Sequence, residues 1–98
     1  MSRRPDPAID DAALALVGAA RRCSPIGDVE TAMTQIVASA TYAEIDPGEV
    51  SGAEGADVLC ALYGTTPWAD ASRDWQTLEH TPLGQRWRAV RRLALRRL

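Results

Sequence analysis

Few side chains in this chain of 98 residues are suited to catalysis or metal binding: one histidine, His80, and two cysteines, Cys23 and Cys60. The cysteines stand 37 positions apart without a Cys-x-x-Cys pair, and one histidine cannot complete a zinc site without carboxylates. His80 directly follows Glu79 between two predicted helices, where an imidazole favours the negative end of a helix dipole. These patterns predict no catalytic, cofactor-binding or metal-ligating residue, and therefore a protein that is not an enzyme.

The cellular setting is inferred from composition. Free cysteine is among the most buried residue types, so we interpret both cysteines as small apolar side chains in a reducing cytoplasm. The sequence has no apolar run of about 18 residues, and roughly its first 30 residues lack the layout of a signal peptide. We therefore expect a cytoplasmic protein with no transmembrane segment. Lys, Asn and Phe, whose codons are AT-rich, are absent, which indicates a high-GC bacterium or one of its phages.

Charge is distributed unevenly along the chain. Residues 24–79 hold ten carboxylates against the single Arg73, whereas residues 81–98 hold six arginines and no acid. The formal net charge of −2 therefore conceals an acidic middle and a strongly basic C-terminal segment. Because guanidinium groups favour bidentate contacts with carboxylate or phosphate, the basic segment is the candidate for partner binding.

The basic segment, residues 81–98, is predicted to form an amphipathic helix. Its apolar residues share one face at helical spacing: Leu83, Trp87, Val90 and Ala94. Three arginines, one turn apart, form a row on the opposite face: Arg88, Arg92 and Arg96. We expect Trp87 to pack against the helical body and to anchor the segment, while the arginine row faces solvent. The predicted partner-binding residues are Arg88, Arg92, Arg96 and Trp87.

Three uses of the arginine row are open at this stage. The arginines can be a solvated face, partly paired with the acidic body, where a surface ion pair contributes only about 0–1 kcal/mol. They can bind an acidic partner protein or a second copy of the chain, which predicts a homodimer with the last helix near its interface. They can also contact nucleic acid or an anionic membrane surface, although the net charge of −9 on residues 24–79 would repel such a polyanion.

Apolar spacing and capping residues predict five helices that position these groups. They cover residues from about 7–22, 29–43, 51–64, 66–78 and 81–98. The third is predicted to begin at a capping box, Ser51 to Glu54, and to end at Gly64 in a left-handed conformation. Its wide apolar face predicts a central, mostly buried helix. A β-turn is predicted at residues 46–48, and residues 1–5 are predicted to be disordered.

A chain of this length forms a single domain with one core. The links between the predicted helices are short, which favours antiparallel neighbours. We therefore predict an all-α, small single-domain bundle of about five short antiparallel helices. Its predicted core residues are Leu16, Ile36, Val37, Leu59, Leu62, Trp75 and Trp87.

Residues 56–64 and 67–75 have the outline of a helix-turn-helix, with Gly64 in the turn. The second of these helices would present Asp70 and Asp74 to DNA, and Asp70 would occupy a position that such motifs fill with an apolar residue. Two packed antiparallel helices are the favoured interpretation of this region.

The segment from Tyr42 to Asp46, followed by the alanine-rich stretch from Glu54 to Gly64, resembles a family of small bacterial helical domains of unknown function. The acidic start of the first helix at Asp10 and Asp11 is similar to the corresponding part of that family. The resemblance covers about residues 10–66. It implies a small helical fold and no activity, cofactor or catalytic residue.

By elimination, the sequence favours a non-enzymatic protein–protein interaction factor: a small adaptor, inhibitor or immunity-type protein, of the kind carried by phages and mobile elements. The alternative is a nucleic-acid-associated accessory protein that binds through the arginine-rich C-terminal helix.

Overall fold

A computed structural model describes residues 6–23 and 28–98. These residues form five α-helices, a single 3₁₀ turn at Pro47–Glu49, and no β-strand, which confirms the predicted all-α bundle. The helices are α1 (Pro7–Cys23), α2 (Val29–Tyr42), α3 (Gly55–Thr65), α4 (Trp68–Leu78) and α5 (Pro82–Arg96). The predicted disorder at residues 1–5 lies outside the described residues. None of the described helices combines the length and apolarity needed to cross a bilayer.

α1 and α2 form the centre of the bundle. Each contributes eight buried residues, most of them alanine on α1 and a mixture of alanine and larger side chains on α2. α2 is capped by Asp28, whose side chain accepts a hydrogen bond from the N–H of Glu30 at 3.0 Å. α3 and α5 pack on α1, while α3, α4 and α5 all pack on α2. The two central helices therefore present one continuous surface on which the other three lie.

The prediction that the third helix is central and mostly buried is wrong. Only Gly55 and Leu59 of its 11 residues are buried, and Val58 is 40% exposed. α3 lies on one side of α1 and α2, so apolar residues on its outer face have no neighbouring helix to cover them. A broad apolar face is therefore compatible with a peripheral helix in a bundle this small.

The predicted start of α3 is also wrong, because the capping box forms elsewhere. Gly52 adopts a positive φ of 97°, which is not helical, and the Ser51 hydroxyl donates to the carbonyl of Gly48. The reciprocal bonds of a capping box instead close the 3₁₀ turn, where Asp46 accepts from the N–H of Gly48 and Glu49 accepts from the N–H of Asp46. This 3₁₀ turn replaces the predicted β-turn, and α3 continues through Gly64 to Thr65 without a left-handed cap.

Consecutive helices are not always packing partners. α1 packs on α2, and α2 packs on α3, but neither α3 with α4 nor α4 with α5 makes an extensive contact. Both interpretations of residues 56–75, the helix-turn-helix and the packed antiparallel pair, required α3 and α4 to pack on each other. Each of them packs on α2 instead, so both interpretations are wrong.

Five of the seven predicted core residues are fully buried: Leu16, Ile36, Val37, Leu59 and Trp87. The prediction is wrong in degree for Leu62 and Trp75, which are half-buried and pack against the edge of the core. Trp75 keeps an exposed side because α4 makes no extensive contact with α5, and this side lines a pocket between α2, α4 and α5.

Candidate partner-binding pocket

α5 is held to the bundle by Trp87, as the sequence predicts. The indole is fully buried, and its N–H donates a 2.6 Å hydrogen bond to the backbone carbonyl of Ile45. Val90 and Ala94 continue the buried face along the helix. A side chain with no exposed surface cannot touch a partner, so Trp87 belongs to the support of the site, and its assignment among the partner-contacting residues is corrected.

A tight corner joins α4 to α5. The Thr81 hydroxyl donates to the carbonyl of Leu78 at 2.6 Å and accepts the N–H of Gly84 at 3.0 Å. A Cβ atom at Gly84 would lie 1.9 Å from the Leu78 carbonyl oxygen, so only glycine allows this approach. From the corner the two helices separate, and α2 lies beneath the gap.

The gap is a pocket of about 380 Å³ between α2, α4 and α5. Its lining combines arginine with apolar and hydroxyl side chains: Thr34, Trp75, Glu79, Arg88, Arg91, Arg92 and Leu95. Trp75 and Leu95 are half-buried and supply the apolar part, while Arg88 and Arg92 are exposed. The pocket therefore offers guanidinium groups beside an indole and a leucine side chain.

Arg91 is positioned by α2. Its Nε donates to the Thr34 hydroxyl at 3.0 Å, and that hydroxyl donates to the carbonyl of Glu30. Only one of the five guanidinium N–H groups is used in this contact, which leaves the terminal nitrogens available to a ligand. Arg91 is thus a hydrogen-bond donor held in one orientation, whereas Arg88 and Arg92 are exposed and add positive charge to the pocket.

The arginines of α5 divide into two groups. Arg86 is used within the fold, since it holds both carboxylate oxygens of Asp46, the nearer at 2.9 Å, and contacts Asp6 at 3.3 Å. The N–H of Gly48 and then the Arg86 guanidinium lower the pKa of Asp46 below its usual value. In the described part of the chain, no salt bridge involves Arg88, Arg91, Arg92 or Arg96.

The predicted arginine row faces solvent as expected, but only part of it lines the pocket. Arg88 and Arg92 do, whereas the exposed Arg96 lies one turn further on and outside the lining. Arg91 and Trp75 are pocket residues that the sequence reasoning missed. The helical wheel places Arg91 beside the apolar face, but nothing local to α5 signals that α4 leaves a gap there.

Glu79 brings one negative charge to the pocket. Its side chain is 31% exposed and lies 3.7 Å from the Nε2 of His80. With three arginines opposite one carboxylate, the pocket remains net positive. The described residues contain no cluster of three or more side chains that could hold a metal ion.

Comparison of the chain with models of protein families, with curated proteins and with solved structures gave no match. The resemblance to small bacterial helical domains therefore stays a prediction.

Proposed function

We propose that this chain is a non-enzymatic protein-binding module, cytoplasmic as its sequence predicts, that takes an acidic segment of a partner protein into the pocket between α4 and α5. One observation carries the proposal: Arg88, Arg91 and Arg92 line the same pocket, and none of them forms a salt bridge with a carboxylate of the described residues. Arg86, on the same helix, is the contrasting case, because two carboxylates already occupy it.

The side chains that line the pocket indicate which kind of partner segment can bind there. Guanidinium groups bind carboxylates through short, charge-assisted hydrogen bonds, often in a bidentate arrangement. Trp75 and Leu95 add an apolar surface beside them, so the segment carries an apolar or aromatic side chain next to its acidic residues. The exposed row that continues to Arg96 accelerates encounter with an acidic surface and biases partner choice more than it raises affinity.

A defined peptide library tests this proposal. Peptides in which Asp or Glu flanks Leu or Trp are titrated against the full chain, beside a matched library with Asn and Gln in place of the acids. We expect binding of the acidic library only, and loss of that binding in Arg88→Glu/Arg92→Glu. Thermal melting of the variant should match the original chain, because both side chains are exposed and lack internal partners.

Arg96→Glu/Arg97→Glu is the matched control, since it makes the same charge change on the same segment outside the pocket lining. It should retain most of the peptide binding. Equal binding of the acidic and amide libraries, or full binding by the pocket variant, would contradict the proposal.

The nucleic-acid alternative makes a different prediction for the same variants. Binding of random duplex DNA that is tighter than about 1 µM at low salt and falls steeply with added salt is the signature of phosphate contacts. Such binding should be lost equally in both double variants, because backbone contacts depend on charge rather than on the pocket. That result would replace the acidic segment with a polyanion as the partner.

A further inference from the structure

The structure brings together two cysteines that lie far apart in sequence. Cys23 is the last residue of α1, and Cys60 is in the middle of α3. The Cys60 Sγ lies 3.6 Å from the carbonyl oxygen of Ala19, one helical turn before Cys23 on the same face of α1. Cys23 and Cys60 are therefore neighbours across the contact between α1 and α3, and both are half-buried.

Two further contacts near the cysteines hold α1 and α3 close together. A Cβ atom at Gly18 would lie 3.7 Å from the Cβ of Ala56, which is ordinary van der Waals contact between small residues. The guanidinium of Arg22 forms a salt bridge of 2.8 Å with Asp57. The thiols are thus neighbours in the folded protein because their helices are packed, rather than by chance approach of flexible segments.

The surroundings keep the Cys23 thiol protonated at neutral pH. Burial, followed by the neighbouring Cys60 thiol, raises the pKa of the Cys23 thiol to about 11, against a weaker opposing effect of the Arg22 guanidinium. Since the thiolate is the reactive form, Cys23 should react slowly with air at neutral pH.

We propose that Cys23 and Cys60 are a modification site that forms a reversible intramolecular disulfide on reaction with a low-molecular-weight disulfide such as oxidised glutathione. One cysteine, as its thiolate, attacks a sulfur of the oxidant and releases one glutathione as its thiol, leaving a mixed disulfide. The other cysteine loses its proton and attacks the protein sulfur of that mixed disulfide, which releases the second glutathione. Two protein thiols are oxidised, one glutathione disulfide is reduced, and both protons end on the released thiols.

Closure of this bond links α1 to α3 across a loop of 37 positions. The link restricts the unfolded chain far more than the folded one, in which the two cysteines are already neighbours. The oxidised protein should therefore melt at a higher temperature than the reduced protein, by about 10 °C or more for a domain of this size. Reduction with dithiothreitol should restore the original melting curve.

Mass spectrometry of the full chain tests the reaction. After incubation of the native protein with oxidised glutathione near pH 8, we expect a monomer lighter by two hydrogens. Trypsin would leave both cysteines on one peptide, because no arginine lies between Arg22 and Arg73. A glutamate-specific protease instead cuts between them, at Glu30 and three later glutamates, so a linked pair of peptides that separates on reduction identifies the bond.

The single variants Cys23→Ser and Cys60→Ser are the controls, and each should stop at the mixed disulfide with glutathione. In native buffer the intramolecular disulfide should exceed the mixed disulfide with glutathione by a larger ratio than in concentrated denaturant, because folding supplies the proximity. Two glutathiones bound to the original chain, a disulfide-linked dimer as the main product, or an equal or larger ratio in denaturant would each overturn the proposal.

Discussion

The indole nitrogen of Trp87 lies 2.6 Å from the carbonyl oxygen of Ile45, three residues after the end of α2. This hydrogen bond lets one side chain fill the core and also satisfy a backbone acceptor in the segment that leaves α2. The candidate pocket is built on the same helix, so its geometry depends on this anchor.

Trp87→Ala should lower the free energy of unfolding by about 3–5 kcal/mol, since it leaves a cavity the size of an indole in the core. Trp87→Phe keeps much of the apolar volume but removes the donor to Ile45, at a cost of about 1–3 kcal/mol for the unpaired carbonyl. Urea denaturation measures both values. If Trp87→Ala unfolded at the same urea concentration as the original chain, α5 would not be docked through this residue.

Gly84→Ala should destabilise the fold by about 1–3 kcal/mol, because the new Cβ would collide with the backbone of Leu78 at the corner between α4 and α5. Gly64→Ala is the matched control: it lies inside α3, and its Cβ would meet nothing within 4 Å. There the better helix propensity of alanine should stabilise the chain by about 0.5–1 kcal/mol. Opposite signs in thermal melting are expected, and two increases in stability would show that the corner tolerates a side chain.

The pairing of Asp46 with Gly48 and Arg86 should make part of the stability sensitive to acid. A carboxyl whose pKa is lowered by folding stabilises the protein above its unfolded pKa, and this stabilisation is lost as the pH falls through the folded value. The stability difference between the original chain and Asp46→Asn should therefore be full near neutrality and shrink below about pH 4. Chemical denaturation at several pH values measures it.

Arg86→Ala separates the two causes of the lowered pKa of Asp46, the N–H of Gly48 and the guanidinium of Arg86. The N–H of Gly48 is the larger influence on the pKa of Asp46, so this variant should weaken the acid dependence without removing it. A difference between the original chain and Asp46→Asn that grew on acidification would contradict the assignment.

The acidic middle and the basic end of the chain predict a homodimer with α5 near its interface. Sedimentation velocity at micromolar concentration, at low and at high salt, measures the mass. We expect a dimer that dissociates as salt rises. A monomer at every concentration would contradict the prediction.

The parts of the fold that follow from local pattern were predicted from the sequence. The ends of α1 and α2 agree with the prediction within one residue. Apolar spacing and the Asp28 cap both depend on residues that are close together in the sequence, so the sequence pattern reveals them. On α5 the predicted end at residue 98 is two residues too late, but amphipathic spacing alone separates the buried Trp87 from the exposed Arg88 and Arg92.

The features that were missed depend on contacts between distant segments. The pocket arises because Gly84 allows the start of α5 to approach the end of α4 closely. No local sequence pattern indicates that the carbonyl of Leu78 lies beside Gly84. The meeting of Cys23 with Cys60 follows from the packing of α1 on α3, which sequence spacing does not reveal. The predicted capping box of α3, Ser51 to Glu54, fits the sequence pattern, but Gly52 has a positive φ and therefore lies outside the helix.

The packing of α5 on both α1 and α2 also determines when this fold can be completed during protein synthesis. α1 and α2 are made before α3, α4 and α5, and the side chains that cover one of their apolar faces, Trp87 and Val90 among them, leave the ribosome after α1 to α4. Until then that face stays open to water and to other unfinished chains. The nascent protein should therefore acquire protease resistance only once α5 has emerged, and ribosome-bound chains stalled before Thr81 should be cleaved readily.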